Sequence, residues 1–141
     1  MLRWFKHLFP TILSDNVGER GETQAATWLE KNRKFVVVAR NWRSSHDRRQ
    51  EIDLVCRDGD ALVFVEVKTR AEGSLVPGYF AVNRRKKKAM RRAVDSYLSQ
   101  LKPPPRTFRF DVVEVAHTGT CGVPEVLHFE NIPLFTKHYR R

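Results

Sequence analysis

Three side chains in this sequence have the types and spacing to bind a divalent cation and act on a phosphodiester: Asp53, Glu66 and Lys68. Strand residues two apart share a face. In Ala61 to Lys68 (ALVFVEVK), Leu62, Phe64, Glu66 and Lys68 fall on one face, and Val63, Val65 and Val67 on the other. In the preceding strand, Ile52 to Cys56, Glu51 and Asp53 point one way, and Ile52 and Leu54 the other. Asp58-Gly59 lies between the two segments and is a strong turn signal, which makes the strands antiparallel neighbours. The start of the first strand then meets the end of the second, and Asp53 lies beside Glu66 and Lys68. Adjacent carboxylates repel, and burying them is costly unless they are paired or bound to a cation. A hard ion such as Mg²⁺ (or Mn²⁺) resolves that conflict with one or two carboxylates, waters and a phosphate oxygen. It can polarise a phosphodiester and supply an activated water. Lys68 can position that water or offset charge developing on the phosphate. Taken alone, Glu66-Val67-Lys68 means little. A [DE]-x-K triplet arises by chance about once in a chain of this size, and a cross-strand salt bridge accounts for it as well. Its weight comes from ending an apolar strand, with an aspartate preceding it across a tight hairpin.

The elements that must position these groups are legible in the periodicity. Ser14-Asp15-Asn16 is a break rich in cap formers, and Gly18 to Asn32 then reads as a helix with Ala25, Ala26 and Leu29 on its apolar stripe. Glu19 and Glu22 occupy its first turns, where the helix dipole favours acids. Phe35 to Ala39 is a β-branched strand, and Arg43 to Gln50 a polar hairpin loop. Ala71 to Gly78 is a further loop. Asn83 caps a long helix, Arg84 to Leu101, with Ala89, Met90, Ala93, Val94, Tyr97, Leu98 and Leu101 as its apolar stripe. Pro103-Pro104-Pro105 stops that helix. Phe108 to Val115 is a fourth strand, and Val126 to Phe129 a candidate fifth. The order α-β-β-β-α-β predicts an α/β fold, a mixed sheet flanked by helices. Residues 1–16 form an N-terminal arm, and residues 17–141 a single domain.

The string Asp53 … Glu66-Val67-Lys68, after a helix carrying Glu22, resembles the PD-(D/E)XK nuclease superfamily, and within it the archaeal Holliday-junction resolvases. The chain is more closely similar to the YraN-like family of small bacterial endonuclease-like proteins. The landmarks are Gly21-Glu22 with Ala25 and Leu29, Arg40-Asn41-Trp42-Arg43, Glu51-Ile52-Asp53-Leu54-Val55, Asp58-Gly59, Leu62 to Arg70, Ala81-Val82 and Arg109-Phe110-Asp111-Val112-Val113, spanning about residues 18 to 115. The resemblance implies a restriction-endonuclease-like fold. It implies Asp53 and Glu66 as metal ligands, Lys68 as the catalytic lysine, and Glu22 as a further ligand or water-orienting acid. Glu51 matches a landmark to which the resemblance attaches no ligand role, and it is taken as a residue behind the ligands. Two departures stand out. Gln50 replaces the glycine that usually precedes Glu-Ile-Asp, and the loop from Ser44 to Arg49 is longer and more basic. The N-terminal arm lies outside the family pattern.

Charge points to the same class of partner. The chain has 141 residues, with 26 Lys plus Arg against 16 Asp plus Glu, a net charge of +10. That surplus costs stability through self-repulsion; attraction to nucleic acid is the first explanation, an anionic membrane surface the second, and a merely soluble basic protein the plain alternative. Arg84, Arg85, Lys86, Lys87, Lys88, Arg91 and Arg92 place seven basic residues in nine at the start of the second helix, where cations oppose the dipole. A phosphate-backbone track explains such a run, although a solvated charged face is the bland alternative. Arg43, Arg48 and Arg49, with Arg40, form a second patch. Trp42 could stack on an unpaired base, but a half-buried core edge is the more ordinary role.

Cys56 and Cys121 read as core thiols in a reducing cytoplasm, with no zinc-ligand spacing. His46, His117, His128 and His138 lack ligand spacing too, and Asp111 suits a salt bridge to a nearby arginine. No apolar run approaches the ~20 residues of a membrane span. The arm MLRWFKHLFPTIL reads as a frayed or self-docked terminal helix, with docking on a membrane or partner as the alternative. The expectation is therefore a Mg²⁺-dependent endonuclease on DNA in preference to RNA, with branched or flapped DNA among the candidate substrates. Resolvase-like nucleases often act as dimers, so a homodimer belongs to that expectation. The competing expectation is a non-catalytic nucleic-acid-binding module with the same fold.

Overall fold

The computed structural model describes residues 17–70, 83–117 and 122–134. The arm, the loop from Ala71, Ala81-Val82, Cys121 and His138 lie outside the described residues. Helix α1 spans Val17–Trp28 and runs on into a π-helical turn, Leu29–Arg33. The turn ends at Lys34, whose left-handed backbone (φ 59°) lets its N–H reach back to the Leu29 carbonyl. Strands β1 (Val36–Arg43), β2 (Glu51–Asp58) and β3 (Ala61–Arg70) follow, then α2 (Arg84–Ser99), β4 (Thr107–Ala116) and β5 (Glu125–Phe129). The element order is thus α-β-β-β-α-β-β, with the candidate fifth strand present.

The five strands lie in the sheet in chain order, β1-β2-β3-β4-β5. All neighbours are antiparallel except β3 and β4, which run parallel. A parallel pair needs a long crossover, and α2 supplies it. The β2–β3 hairpin closes through Gly59 (φ 57°), a backbone conformation that a Cβ disfavours.

The central strand β3 feeds two cores. Leu62 and Phe64 pack with Met90, Ala93, Val94 and Leu98 of α2. Val63 and Val65 pack with Ala25, Ala26 and Leu29 on the α1 side. This alternation follows the period-two reading of the sequence. Cys56 is buried in the α1-side core, and burial pushes its thiol up to about 12.

Two boundaries and one stripe position differ from the expectation. β1 extends to Arg43 rather than stopping at Ala39, because its polar second half pairs with Glu51 to Leu54. α2 ends at Ser99, two residues short of Leu101: Gln100 and Leu101 bond to carbonyls three residues back, tightening the last turn ahead of Pro103. Ala89, assigned to the apolar stripe, is exposed.

One correction bears on the site. Ile52 and Leu54 do not share a face. Ile52 lies in the α2-side core and Leu54 in the α1-side core. On β1, Ala39 and Trp42, three residues apart, both pack on the α2 side. Both strands therefore change phase at one level. Between the Arg40↔Leu54 and Trp42↔Ile52 pairs, Asn41 stands opposite Asp53, and Asn41 has a left-handed backbone (φ 48°). A single left-handed residue breaks strict alternation, which a residue-by-residue pattern cannot anticipate.

Candidate active site

Main-chain pairing between β2 and β3 stops at Leu54↔Val65, although β2 begins at Glu51 and β3 continues to Arg70. At that opening the Asp53 carboxylate takes over from the ladder: its Oδ2 accepts the Val67 N–H at 2.8 Å. The group is thereby held in the fork where β2 and β3 part, while the β1–β2 and β3–β4 ladders run on. Burial, the charge of Glu66 and, more weakly, that of Glu22 push its carboxyl up to about 7, against the opposing pull of the Val67 N–H and Lys86.

Glu66 and Lys68 share the α2-facing side of β3, as their spacing predicts. Glu66 is buried, 3% exposed, and its Oε1 lies 2.9 Å from Lys68 Nζ. The same oxygen lies 3.2 Å from Lys86 Nζ, which arrives from the first turn of α2. Burial works against the Lys86 charge, but Glu66, Asp53 and Glu51 outweigh it and hold the ammonium above its ordinary range.

Glu22 approaches from α1. It shares a polar cleft of about 280 Å³ with Glu19, Asn41, Arg43, Glu51 and Asp53. Burial raises its carboxyl, opposed by a hydrogen bond from Asn41, with Glu51, Glu19 and Glu66 adding repulsion. The close seating of α1 depends on Gly21, where a Cβ would overlap Thr69 Oγ1 on β3. Glu51 forms an exposed pair with Arg43 at 3.1 Å at the cleft's rim.

The structure therefore brings Glu22, Asp53, Glu66 and Lys68 into one electrostatic cluster. All the donors are hard oxygens, and their net charge calls for a cation, so in type and charge they suit a divalent metal. Among the described residues, however, no three acids, histidines or cysteines are gathered closely enough to hold a metal ion as they stand. Glu66 turns its Oε1 to two ammonium groups and Asp53 gives Oδ2 to a backbone N–H, so binding a metal would require these contacts to rearrange.

The basic residues divide. Arg84, Arg85, Lys88 and Arg92 are exposed, Lys87 and Arg91 half-buried, and Lys86 belongs to the acid cluster. Arg43, Arg48 and Arg49 are exposed; Arg43 pairs with Glu51, and Arg49 pairs with Asp47 at 3.0 Å. The loop bearing Arg48 and Arg49 is built by Ser44, whose Oγ accepts the N–H groups of His46 and Asp47. Gln50, at the position where the resemblance has glycine, accepts Ser96 Oγ–H at 2.5 Å and ties this loop to α2. The Asp47 carboxylate also feels Arg92, so loop and helix contribute to one basic surface. Trp42 packs edge-on against Tyr97 at 5.2 Å, the core-edge role.

Sequence reasoning missed Asn41, the placement of Lys86, the buried Glu114–Arg70 pair, and the reach of the Asp111 network beyond its arginine. Glu114 is buried and pairs with Arg70 at 2.7 Å. Asp111, fully buried, takes Arg109 at 3.0 Å, the Asn131 N–H at 2.9 Å, and lies 2.8 Å from His128 Nε2. Burial alone would raise the Asp111 carboxyl, but these bonds outweigh it and hold it low. Arg109 also bonds Asp58 at 3.0 Å, which places this network at the hairpin end of the sheet, away from Asp53. The expected Asp111–arginine bridge is present. The Arg-x-Asp spacing on β4 was its signal, whereas His128 gave none.

The profile of the Uncharacterised protein family UPF0102 matches residues 21–115. A UPF0102 protein of Geobacter metallireducens is 36% identical over 121 residues, covering 86% of this chain and 94% of the relative. One from Beutenbergia cavernae is 40% identical over 118 residues, covering 84% and 96%. The chain belongs to the UPF0102 family. A further UPF0102 protein, from Chlorobaculum tepidum, is 46% identical over 101 residues, covering 70% and 74%. The UPF0102 match takes in Glu22, Asn41, Asp53, Glu66, Lys68 and Lys86, so the cluster lies wholly inside it, whereas β5 lies beyond it. No helix among the described residues is long and apolar enough to cross a membrane.

Proposed function

We propose that this chain is a metal-dependent phosphodiesterase acting on nucleic acid, DNA in preference to RNA, with a PD-(D/E)XK-type site. The observation that carries the reading is the pairing of half-buried Asp53 with buried Glu66 where the β2–β3 ladder opens, with Lys68 bonded to Glu66. A carboxyl raised to about 7 where two strands part costs the fold stability at neutral pH; perturbed acids in a cleft are characteristic of sites that bind or react. Asp53, Glu66 and Glu22 would hold Mg²⁺ or Mn²⁺, which supplies the Lewis acid and the activated water. Lys68 would stabilise charge developing on the phosphate. Glu51 would support the cleft from its rim. The exposed cations of α2, Arg84, Arg85, Lys88 and Arg92, with Arg43, Arg48 and Arg49, would carry the phosphate backbone.

A second reading, a nucleic-acid-binding module without catalysis, draws support from the contacts that engage Glu66 and Asp53 and from the lack of a preassembled ligand set among the described residues. The test that separates them is incubation with labelled duplex, single-stranded, flapped and four-way-junction DNA, and RNA, in Mg²⁺ or Mn²⁺. The catalytic reading predicts cleavage that falls by roughly 10²–10³ or more in Asp53→Ala and Lys68→Ala. No cleavage, with binding intact in all three proteins, would leave the binding module.

A further inference from the structure

Lys86 belongs by sequence to the exposed basic run of α2, but its ammonium group is turned inward onto Glu66. Asn83 Oδ1 accepts the Lys86 N–H at 2.9 Å, so the side chain extends from a capped, fixed first turn. It reaches Glu66 Oε1 at 3.2 Å, the oxygen that Lys68 already meets at 2.9 Å. The Glu66 side chain is 4% exposed and that of Lys86 34%. Lys68, 28% exposed, sits on the same strand two residues on from Glu66, whereas Lys86 comes from another element and makes the longer contact. Of two similarly accessible ammonium groups, Lys86 is therefore the one that can leave without disturbing the strand that carries Glu66. Its neighbours Arg85 and Lys88 are exposed, so an ammonium released from Glu66 has the phosphate track beside it.

A divalent ion bound at Glu66 would lie close to both ammonium groups, in a site sheltered from water where like charges repel strongly. We propose that Lys86 is a built-in counter-ion of the Glu66 carboxylate that a divalent metal must displace, and that the displaced side chain then joins the phosphate contacts of α2. This rests on the metal-dependent reading above. Lys86 then couples the two ligands. Metal loading frees a phosphate-binding group, and bound polynucleotide draws that group away from the metal's position. Such coupling is reciprocal by linkage.

The test uses the full chain as wild type, Lys86→Met, Lys86→Gln and Arg57→Met, the last removing one exposed charge on β2. Mn²⁺ affinity is read from the free-ion electron paramagnetic resonance signal. Duplex DNA affinity is read in EDTA and in saturating Ca²⁺, with Arg85→Met alongside. Both Lys86 variants should bind Mn²⁺ at least about fivefold tighter than wild type, and Arg57→Met within about twofold. In EDTA the Lys86 variants should bind duplex within about twofold of wild type, and in Ca²⁺ at least about threefold more weakly, whereas Arg85→Met loses affinity equally in both. Detection of Mn²⁺ binding only in the Lys86 variants would also support displacement. Unchanged or weaker Mn²⁺ affinity in both variants would overturn it. So would an equal loss of DNA affinity with and without Ca²⁺, which would make Lys86 an ordinary phosphate contact. Failure of every protein to bind Mn²⁺ would overturn the metal-dependent reading itself, and this inference with it.

Discussion

Asp53 shows how a site can be held against stability. In an unfolded chain its carboxyl titrates near 3.8, and in the fold near 7. The folded state therefore binds the extra proton between those values. The favourable contribution is fully present below the unfolded value and is lost as pH rises through about 7. Asp53→Asn keeps an oxygen for the Val67 N–H and removes the charge. In EDTA it should raise the melting temperature at pH 8 and leave it nearly unchanged at pH 4. Thermal unfolding at both values checks this; stabilisation of equal size at the two pH values would remove the charge conflict from the account. The carboxylate–lysine arrangement was legible from residue spacing because β3 keeps a strict alternation. The second lysine was not, because its contact joins residues 66 and 86 across a crossover, and nothing local in the sequence distinguishes Lys86 from the cations around it.

At the scale of elements, Asn41 and Asp53 reach the acid cluster because β1 and β2 change phase together. The change at Asn41 brings its side chain to Glu22, and the change opposite it turns Asp53 toward Val67. Asn41→Gly keeps the left-handed backbone and loses only the side-chain bond, whereas Asn41→Ala adds a backbone cost of about 1 kcal/mol. Chemical denaturation should place the alanine variant below the glycine variant by about that amount, and equal stability of the two would show that the backbone at 41 carries no strain. The five strands, both helices and the hairpin were readable from apolar period and turn chemistry. The phase change was not, because the left-handed backbone at Asn41 leaves no mark in an apolar–polar pattern, and Ala39 and Trp42 alone do not fix where the alternation breaks. Gly21 is the comparable case on α1: its small size was visible, but the Thr69 side chain that demands it lies on a strand far along the chain.

For the whole molecule, the net charge of +10 makes the proposed phosphate track testable through salt. Arg85, Lys88 and Arg92 are exposed and spaced to lie along one stripe of α2. Replacing all three with glutamine should weaken duplex binding and flatten the dependence of log affinity on log salt by about 2–3 units, near 0.9 per phosphate contact. An unchanged slope would move the track elsewhere. The central claim, that Asp53 ligates a catalytic metal, is tested most directly by changing the softness of that one ligand. In Asp53→Cys, a thiolate replaces a hard oxygen, so cleavage should be lost in Mg²⁺ and return in part when Mn²⁺ or Cd²⁺ is supplied. Cleavage in Mg²⁺ at the wild-type rate, or a loss that no softer ion restores while Asp53→Asn remains active, would contradict it.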